Sequence, residues 1–203
     1  MDLHGKKIIL GSSSPRRREL LAGLNIDFEV DTRNDFVESF TPDTSHAEIP
    51  VLMSKGKSHG FHRPLEADEI LITADTMVFC EGFIMGKPRS REEAVRMLEE
   101  LSGREHQVTT AVTLRDVRRE ITFTDTSNVF FKELTPEEIG YYVDTFRPYD
   151  KAGAYGIQEW IGYAGITRIE GSYFNIVGLP VHRVYAELQA FLQPVRSGRT
   201  ASA

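Results

Sequence analysis

The sequence predicts an α/β fold, and three observations predict it. Short β-rich runs alternate with helical stretches along the whole chain. The helical stretches open on recognisable start signals, Ser/Thr-Pro or Ser/Thr-x-x-Glu. Hydrophobic residues make up 40% of the 203 positions, enough to bury a sizeable core and too many for a disordered chain.

The elements follow in order. Lys7-Ile8-Ile9-Leu10 reads as a first strand. Ser14 caps a helix with Pro15 at its first position, and Leu20, Leu21 and Leu24 supply its apolar stripe. Residues 25–45 read as a strand and a polar loop, and 46–60 as a helix of weak apolar pattern. Ile70 through Cys80 is a strong strand, closed by the turn signal Glu81-Gly82. Ser90-Arg91-Glu92-Glu93 is a capping box whose helix turns Ala94, Met97, Leu98 and Leu101 inward and stops at Gly103. Two β-rich runs follow, near 106–115 and 119–132. A second box, Thr135-Pro136-Glu137-Glu138, opens a helix to about Thr145. A glycine-rich stretch, 150–165, leads to a strand near 166–169. Pro180 opens a last helix that buries Val184, Leu188 and Phe191. Residues 1–193 read as a single domain, and 194–203 as a disordered polar tail.

Charge and cysteine usage exclude whole classes of function. The net charge of 24 − 30 = −6 argues against a nucleic-acid or membrane binder, which is normally basic. No 18-residue apolar stretch reads as a membrane span, and Met1 to Lys7 has no signal-peptide core. The one cysteine, Cys80, lies in the apolar run Met77-Val78-Phe79-Cys80 and reads as a core thiol. A lone thiol points to a reducing compartment, so the expected address is the cytoplasm.

Three departures from ordinary patterning carry the functional signal. The first helix begins Ser14-Pro15-Arg16-Arg17-Arg18, placing cations where the helix dipole favours acids. Free N–H groups, arginines and the small residues Gly11-Ser12-Ser13 together suit an anion such as a phosphate chain. Next, Asp75 interrupts an otherwise apolar strand. A buried carboxylate must be paired, hydrogen-bonded or metal-bound, because leaving it bare costs several kcal/mol. Third, lysines stand in constrained loops, at Gly86-Lys87-Pro88 and at Asp150-Lys151-Ala152-Gly153. Each of the three also has a bland reading as solvated charge or a strand-end aspartate. No P-loop or Gly-x-Gly-x-x-Gly segment is present, and the six histidines show no zinc-type spacing.

In these segments the chain resembles the Maf family of nucleoside triphosphate pyrophosphatases, over roughly residues 7–193. The likeness rests on Ser12 through Leu21, Ala74-Asp75-Thr76, Gly86-Lys87-Pro88, Leu101-Ser102-Gly103, Asp150 through Gln158, Glu170-Gly171-Ser172-Tyr173 and Val177-Gly178-Leu179-Pro180. It implies a mixed central sheet with flanking helices, two lobes around an active-site cleft, a divalent metal (Mg²⁺ or Mn²⁺), a cytoplasmic location and a homodimer. Arg16, Thr76 and Gln158 match the subgroup that acts on dTTP and UTP, with Thr76 and Gln158 facing the pyrimidine. The resemblance makes Asp75 the catalytic residue and, with Glu38, the metal ligand. It gives Ser12, Arg16, Arg17, Lys55, Lys87 and Lys151 the triphosphate. Lys55 aligns with the lysine of the family's Leu-Ala-x-x-Lys-Ala helix, and Lys57 stands two residues on. Glu159 follows Gln158 where many members have glycine. The expected reaction is water attack at the α-phosphorus with loss of pyrophosphate. A rival from another class is a nucleotide-binding regulator of cell division without turnover. That rival has no use for a carboxylate placed among phosphates.

Overall fold

The computed structural model describes residues 1–41 and 43–193; the expected tail at 194–203 lies outside them. One seven-stranded mixed sheet runs through the molecule. Its strands are β1 (Lys7–Leu10), β2 (Phe28–Val30), β3 (Glu69–Cys80), β4 (Phe83–Met85), β5 (Glu105–Arg115), β6 (Glu120–Phe131) and β7 (Ile166–Glu170). The order is β2-β1-β3-β5-β6-β7, with β4 also paired to β3. β1 is parallel to both β2 and β3, and the other pairings are antiparallel.

Among the described residues seven helices flank the sheet: α1 (Pro15–Ala22), α2 (Ile49–His59), α3 (Arg91–Leu101), α4 (Pro136–Phe146), α5 (Trp160–Ala164), α6 (Tyr173–Val177) and α7 (Val181–Leu192). The start signals act largely as read. Ser14 Oγ accepts from the Arg17 amide, and Thr135 with Glu138 forms a complete capping box. At α3 the box is half made: Ser90 accepts from the Glu93 amide, but the Glu93 carboxylate turns to the Arg89 amide. The apolar stripe of α1 is narrower than expected, with Leu21 its one fully buried residue and Leu24 beyond the helix end. The stretch 150–165 carries more structure than its glycines suggest, including a 3-10 turn at Ala152–Ala154 and all of α5.

Two apolar clusters make two lobes on the shared sheet. One joins Ile8, Leu10, Ile70, Ile72 and Val112 to Leu21 of α1 and to Val184, Leu188 and Phe191 of α7. The other joins Val78, Cys80, Val108, Val129 and Phe131 to α3, α4 and the 154–161 segment. Cys80 is a buried core thiol, as read. Strand β3 spans both clusters. On one edge it pairs with β5 from Leu71 to Phe79. On the other, β1 covers it only up to Ile72, and β4 takes over only at Val78. Residues 73–77 therefore face a gap between the lobes. The carboxyl end of β1, where the chain turns away into α1, opens into that gap. This is the switch point at which α/β sheets hold ligands.

Candidate active site

The gap is floored by Asp75, which is 7% exposed. Alternation along β3 sends Asp75 and Thr76 to opposite faces of the sheet. Asp75 meets α2, and Thr76 meets α1 and the Gly178 turn.

Helix α2 is fastened to the sheet by buried hydroxyls. Ser54 Oγ lies 2.9 Å from Thr113 Oγ1, and Thr73 Oγ1 donates to the Ser54 carbonyl at 2.8 Å. One turn further on, Lys57 stands over Asp75. Its ammonium is 2.5 Å from Asp75 Oδ1 and 2.7 Å from Glu38 Oε1. Glu38 arrives on the loop after β2. The Phe36 ring of that loop lies against Gly56 and Gly60, where a Cβ would come within 2.2 Å and 2.6 Å of Phe36 atoms. The bare glycines let the loop dock and bring Glu38 to Lys57. The Lys57 hydrogen bond then holds the Glu38 carboxyl below the usual carboxylate range, against a desolvation that pushes the other way.

The expected family lysine needs correction. Lys55 points out of the cleft, 3.5 Å from Glu120, and half its side chain is exposed. Lys57 is the lysine on the cleft face. The burial pattern accounts for this, because Ile49, Pro50, Met53, Ser54 and Ser58 are the buried positions of α2 and residue 57 continues that stripe. The motif agrees once Met53-Ser54 take its Leu-Ala places, since its lysine then falls at 57.

The first turn of α1 divides its three arginines. Arg16 reaches across the gap, with Nη1 2.6 Å from Asp150 Oδ2. Arg17 turns inward, donating to the Gly178 carbonyl at 2.9 Å, Thr76 Oγ1 at 3.0 Å and Ser12 Oγ at 3.4 Å. Arg18 is exposed. Thr76 is thus engaged inside the protein, with Thr110 Oγ1 also 2.9 Å from its hydroxyl. From the second lobe come Lys87 and Lys151. Lys87 is exposed at the mouth. Lys151 is buried, 2.7 Å from Asp150 and 3.0 Å from Glu159. The Asp150 carboxyl is held at about 2 by Lys151 and Arg16, which outweigh its desolvation.

The cleft has two ends that share Arg16, Arg17, Lys57 and Lys87. One is polar, lined by Gly11, Ser12, Ser13 and Glu38. The other holds Asp75 and Lys151 and adds an apolar patch, Val78, Val108, Ile176 and Val177, with Gln158 beside it. The Gln158 Oε1 atom is buried and has no partner among the described residues. Five cations, Arg16, Arg17, Lys57, Lys87 and Lys151, meet four carboxylates, Glu38, Asp75, Asp150 and Glu159. The cleft's own excess is therefore 5 − 4 = +1. Sequence reasoning missed Asp150 and Glu159 as partners of these cations, and Tyr142 behind them.

A divalent cation fits here. Asp75 Oδ2 is buried without a hydrogen-bond partner among the described residues, and carboxylates are the hard oxygen donors that Mg²⁺ and Mn²⁺ prefer. Among those residues no group of three or more His, Cys, Asp or Glu side chains could hold a metal by itself. Asp75 and Glu38 would supply two ligands and leave the remaining positions to water or substrate oxygens, the usual habit of Mg²⁺.

Fold and cleft together define an α/β protein with a cation-lined pocket that carries an apolar patch, between two lobes. A model of the family described as Maf-like protein matches residues 7–191, and the chain belongs to that family. A dTTP/UTP pyrophosphatase of Bacteroides thetaiotaomicron is 50% identical over 183 residues, covering 90% of this chain and 95% of the relative. One from Parabacteroides distasonis is 49% identical over 185 residues, covering 91% and 96%. Among solved structures, a HAM1 protein from Coxiella burnetii overlaps 62% of this chain and 73% of its own, with 13% identity and a TM-score of 0.39.

Proposed function

We propose that this chain hydrolyses dTTP and UTP to the nucleoside monophosphate and pyrophosphate. The observation that carries the reading is the polarity of the cleft. Its cations crowd around Asp75, while Val78, Val108, Ile176 and Val177 add an apolar patch beside Gln158, which offers one unpaired amide oxygen. A nucleoside triphosphate has the same division, and the relatives named for this activity share about half their residues with the chain.

Each group then has a task. Arg16, Lys57, Lys87 and Lys151 take up charge on the phosphate oxygens. Ser12 accepts from Arg17 and the Ser14 amide and keeps its own proton for a phosphate oxygen. Arg17 ties the start of α1 to Thr76 and Gly178, so the walls hold their spacing. Asp75 orients the attacking water and receives its proton. The water oxygen bonds to the α-phosphorus, the bond from α-phosphorus to bridging oxygen breaks, and pyrophosphate leaves with the electron pair. Asp75 and Glu38 would hold a divalent cation, which would supply the positive charge that the cleft's small excess lacks against the roughly four charges of a triphosphate. The reading extends to residues 1–193 acting as one domain, in a cytoplasmic homodimer that binds no nucleic acid. The acidic net charge supports the last point. No helix among the described residues is long and apolar enough to cross a membrane.

A panel of nucleoside triphosphates with Mg²⁺ or Mn²⁺, read by pyrophosphate release, tests the reading. In ¹⁸O water the label should enter the monophosphate. Orthophosphate with a diphosphate product would overturn it, and tight dTTP binding with no product would favour a non-hydrolytic regulator.

Base selection rests on Gln158. Its unpaired Oε1 can accept from N3–H of thymine or uracil, while its amide N–H donates to O4. Gln158→Leu should lower kcat/KM for dTTP and UTP by about tenfold, with a smaller change for CTP, because the polar edge of the base is then left unpaired. An equal fall for every nucleotide would remove base reading from Gln158.

A further inference from the structure

We infer that Glu159 is a positioning residue, acting through Lys151 and the Gly156 turn to join the phosphate-binding and base-reading ends of the cleft. This rests on the proposed function.

Glu159 occupies the N-cap position of α5, yet its side chain makes no hydrogen bond to its own helix. Its carboxylate turns back instead. Oε1 lies 3.0 Å from the Lys151 ammonium, and Oε2 accepts from the Tyr142 hydroxyl. Tyr142 belongs to α4, is wholly buried, and accepts in turn from the Gly156 amide at 2.9 Å. Burial and the adjacent Glu159 carboxylate both push the Tyr142 hydroxyl far up, so it stays a neutral donor. The chain of contacts Gly156–Tyr142–Glu159–Lys151 therefore closes a ring around one loop and fastens it to the second lobe.

The packing at Gly156 shows how tight that ring is. A Cβ there would lie 2.9 Å from Glu159 Cδ, 3.0 Å from Lys151 Cε and 3.1 Å from Gln158 Nε2. The carboxylate, the lysine stem and the glutamine amide converge on one backbone point. Asp150 also pairs with Lys151, but its side chain is 56% exposed and it is shared with Arg16. The Glu159 side chain is only 19% exposed and faces Lys151 from inside. A substrate phosphate that replaces Asp150 on the two cations leaves Glu159 as the fixed counter-charge of Lys151. A shift of Lys151 is then a shift of Gln158.

Glu159→Gln keeps the volume and removes the charge. A buried ammonium that loses its counter-charge is less favoured in its charged form. Activity that needs the Lys151 cation is then lost at lower pH. The expected results are a fall in kcat/KM for dTTP of about tenfold and an alkaline limb displaced downward, with thermal unfolding still cooperative. Because Glu159 acts through Lys151, Glu159→Gln should change kcat/KM less than twofold when added to Lys151→Ala, a non-additivity expected of residues in direct contact. Glu159→Asp, which keeps the charge but withdraws it from Lys151, should obey the same rule and serves if Glu159→Gln does not fold. An unmoved alkaline limb in Glu159→Gln, or full additivity with Lys151→Ala for whichever variant folds, overturns the inference. Titration of ¹³Cε-labelled lysine, assigned with Lys151→Arg, reads the Glu159–Lys151 coupling without turnover. A lowered Lys151 titration in Glu159→Gln alongside an inactive wild type would sustain the coupling and sink the functional reading instead.

Discussion

Asp75→Asn should reduce pyrophosphate release from dTTP by at least about a hundredfold while the protein stays folded. Asparagine matches the shape of the aspartate but carries no charge and cannot take a proton from water. Its amide also competes poorly with water for a divalent cation. The fold should tolerate the change, because Lys57 keeps Glu38 as a partner and the flanking strand pairings are backbone contacts. An amide nitrogen turned toward Lys57 would repel it, so the side chain should settle with its oxygen there and its NH₂ in the cleft. Steady-state kinetics alongside circular dichroism and thermal unfolding decide the matter. A folded variant with kcat near that of wild type would take Asp75 out of the chemistry and leave it a structural partner of Lys57.

The place of Asp75 was readable in advance because it is a local contradiction, a carboxylate inside a mostly apolar strand. The arginines opening α1 and the capping residues of α1 and α4 were readable for the same reason: each signal lies within four residues of the effect. What failed depended on distance or on face. Lys55 and Lys57 look equivalent along the chain. Only the stripe of buried residues on α2, and the Phe36 ring docked on Gly56, make one of them inward. The pairings of Asp150 with Arg16 and of Glu159 with Lys151 had no local signal, because one spans 134 residues and the other crosses a turn. Helices α5 and α6, five residues each, are too short to show a helical period against a glycine-rich background. Their places are set by packing against the second cluster through Ile161 and Ile176. The mixed sheet was implied by the family resemblance, but the uncovered edge at residues 73–77 was not legible. It arises from where β1 stops and β4 starts on the same edge of β3.

Lys57 and Lys55 give the sharpest separation between a cleft cation and a solvated one. Lys57→Ala should lower kcat/KM for dTTP by about a hundredfold, and Lys55→Ala by less than about twofold. The reason for the first is geometric. Among the described residues Lys57 is the one cation in contact with both Asp75 and Glu38, so its removal leaves two carboxylates facing the incoming phosphates with no ammonium between them. The second follows from exposure, because the Lys55–Glu120 pair is long and nearly half in solvent, where such pairs contribute little. Lys57→Ala should have a second signature of opposite sign. The ammonium competes with any divalent cation for the same two carboxylates, so removing it should tighten Mn²⁺ binding even as turnover falls. Titration of the variants with Mn²⁺, followed by calorimetry or electron paramagnetic resonance, reads that directly. Weaker Mn²⁺ binding in Lys57→Ala would mean that the lysine organises Asp75 and Glu38 for the cation and does not compete with it. Equal kinetic losses in both lysine variants would mean that α2 acts on the cleft through its overall charge, and the assignment of Lys57 to the phosphates would fall.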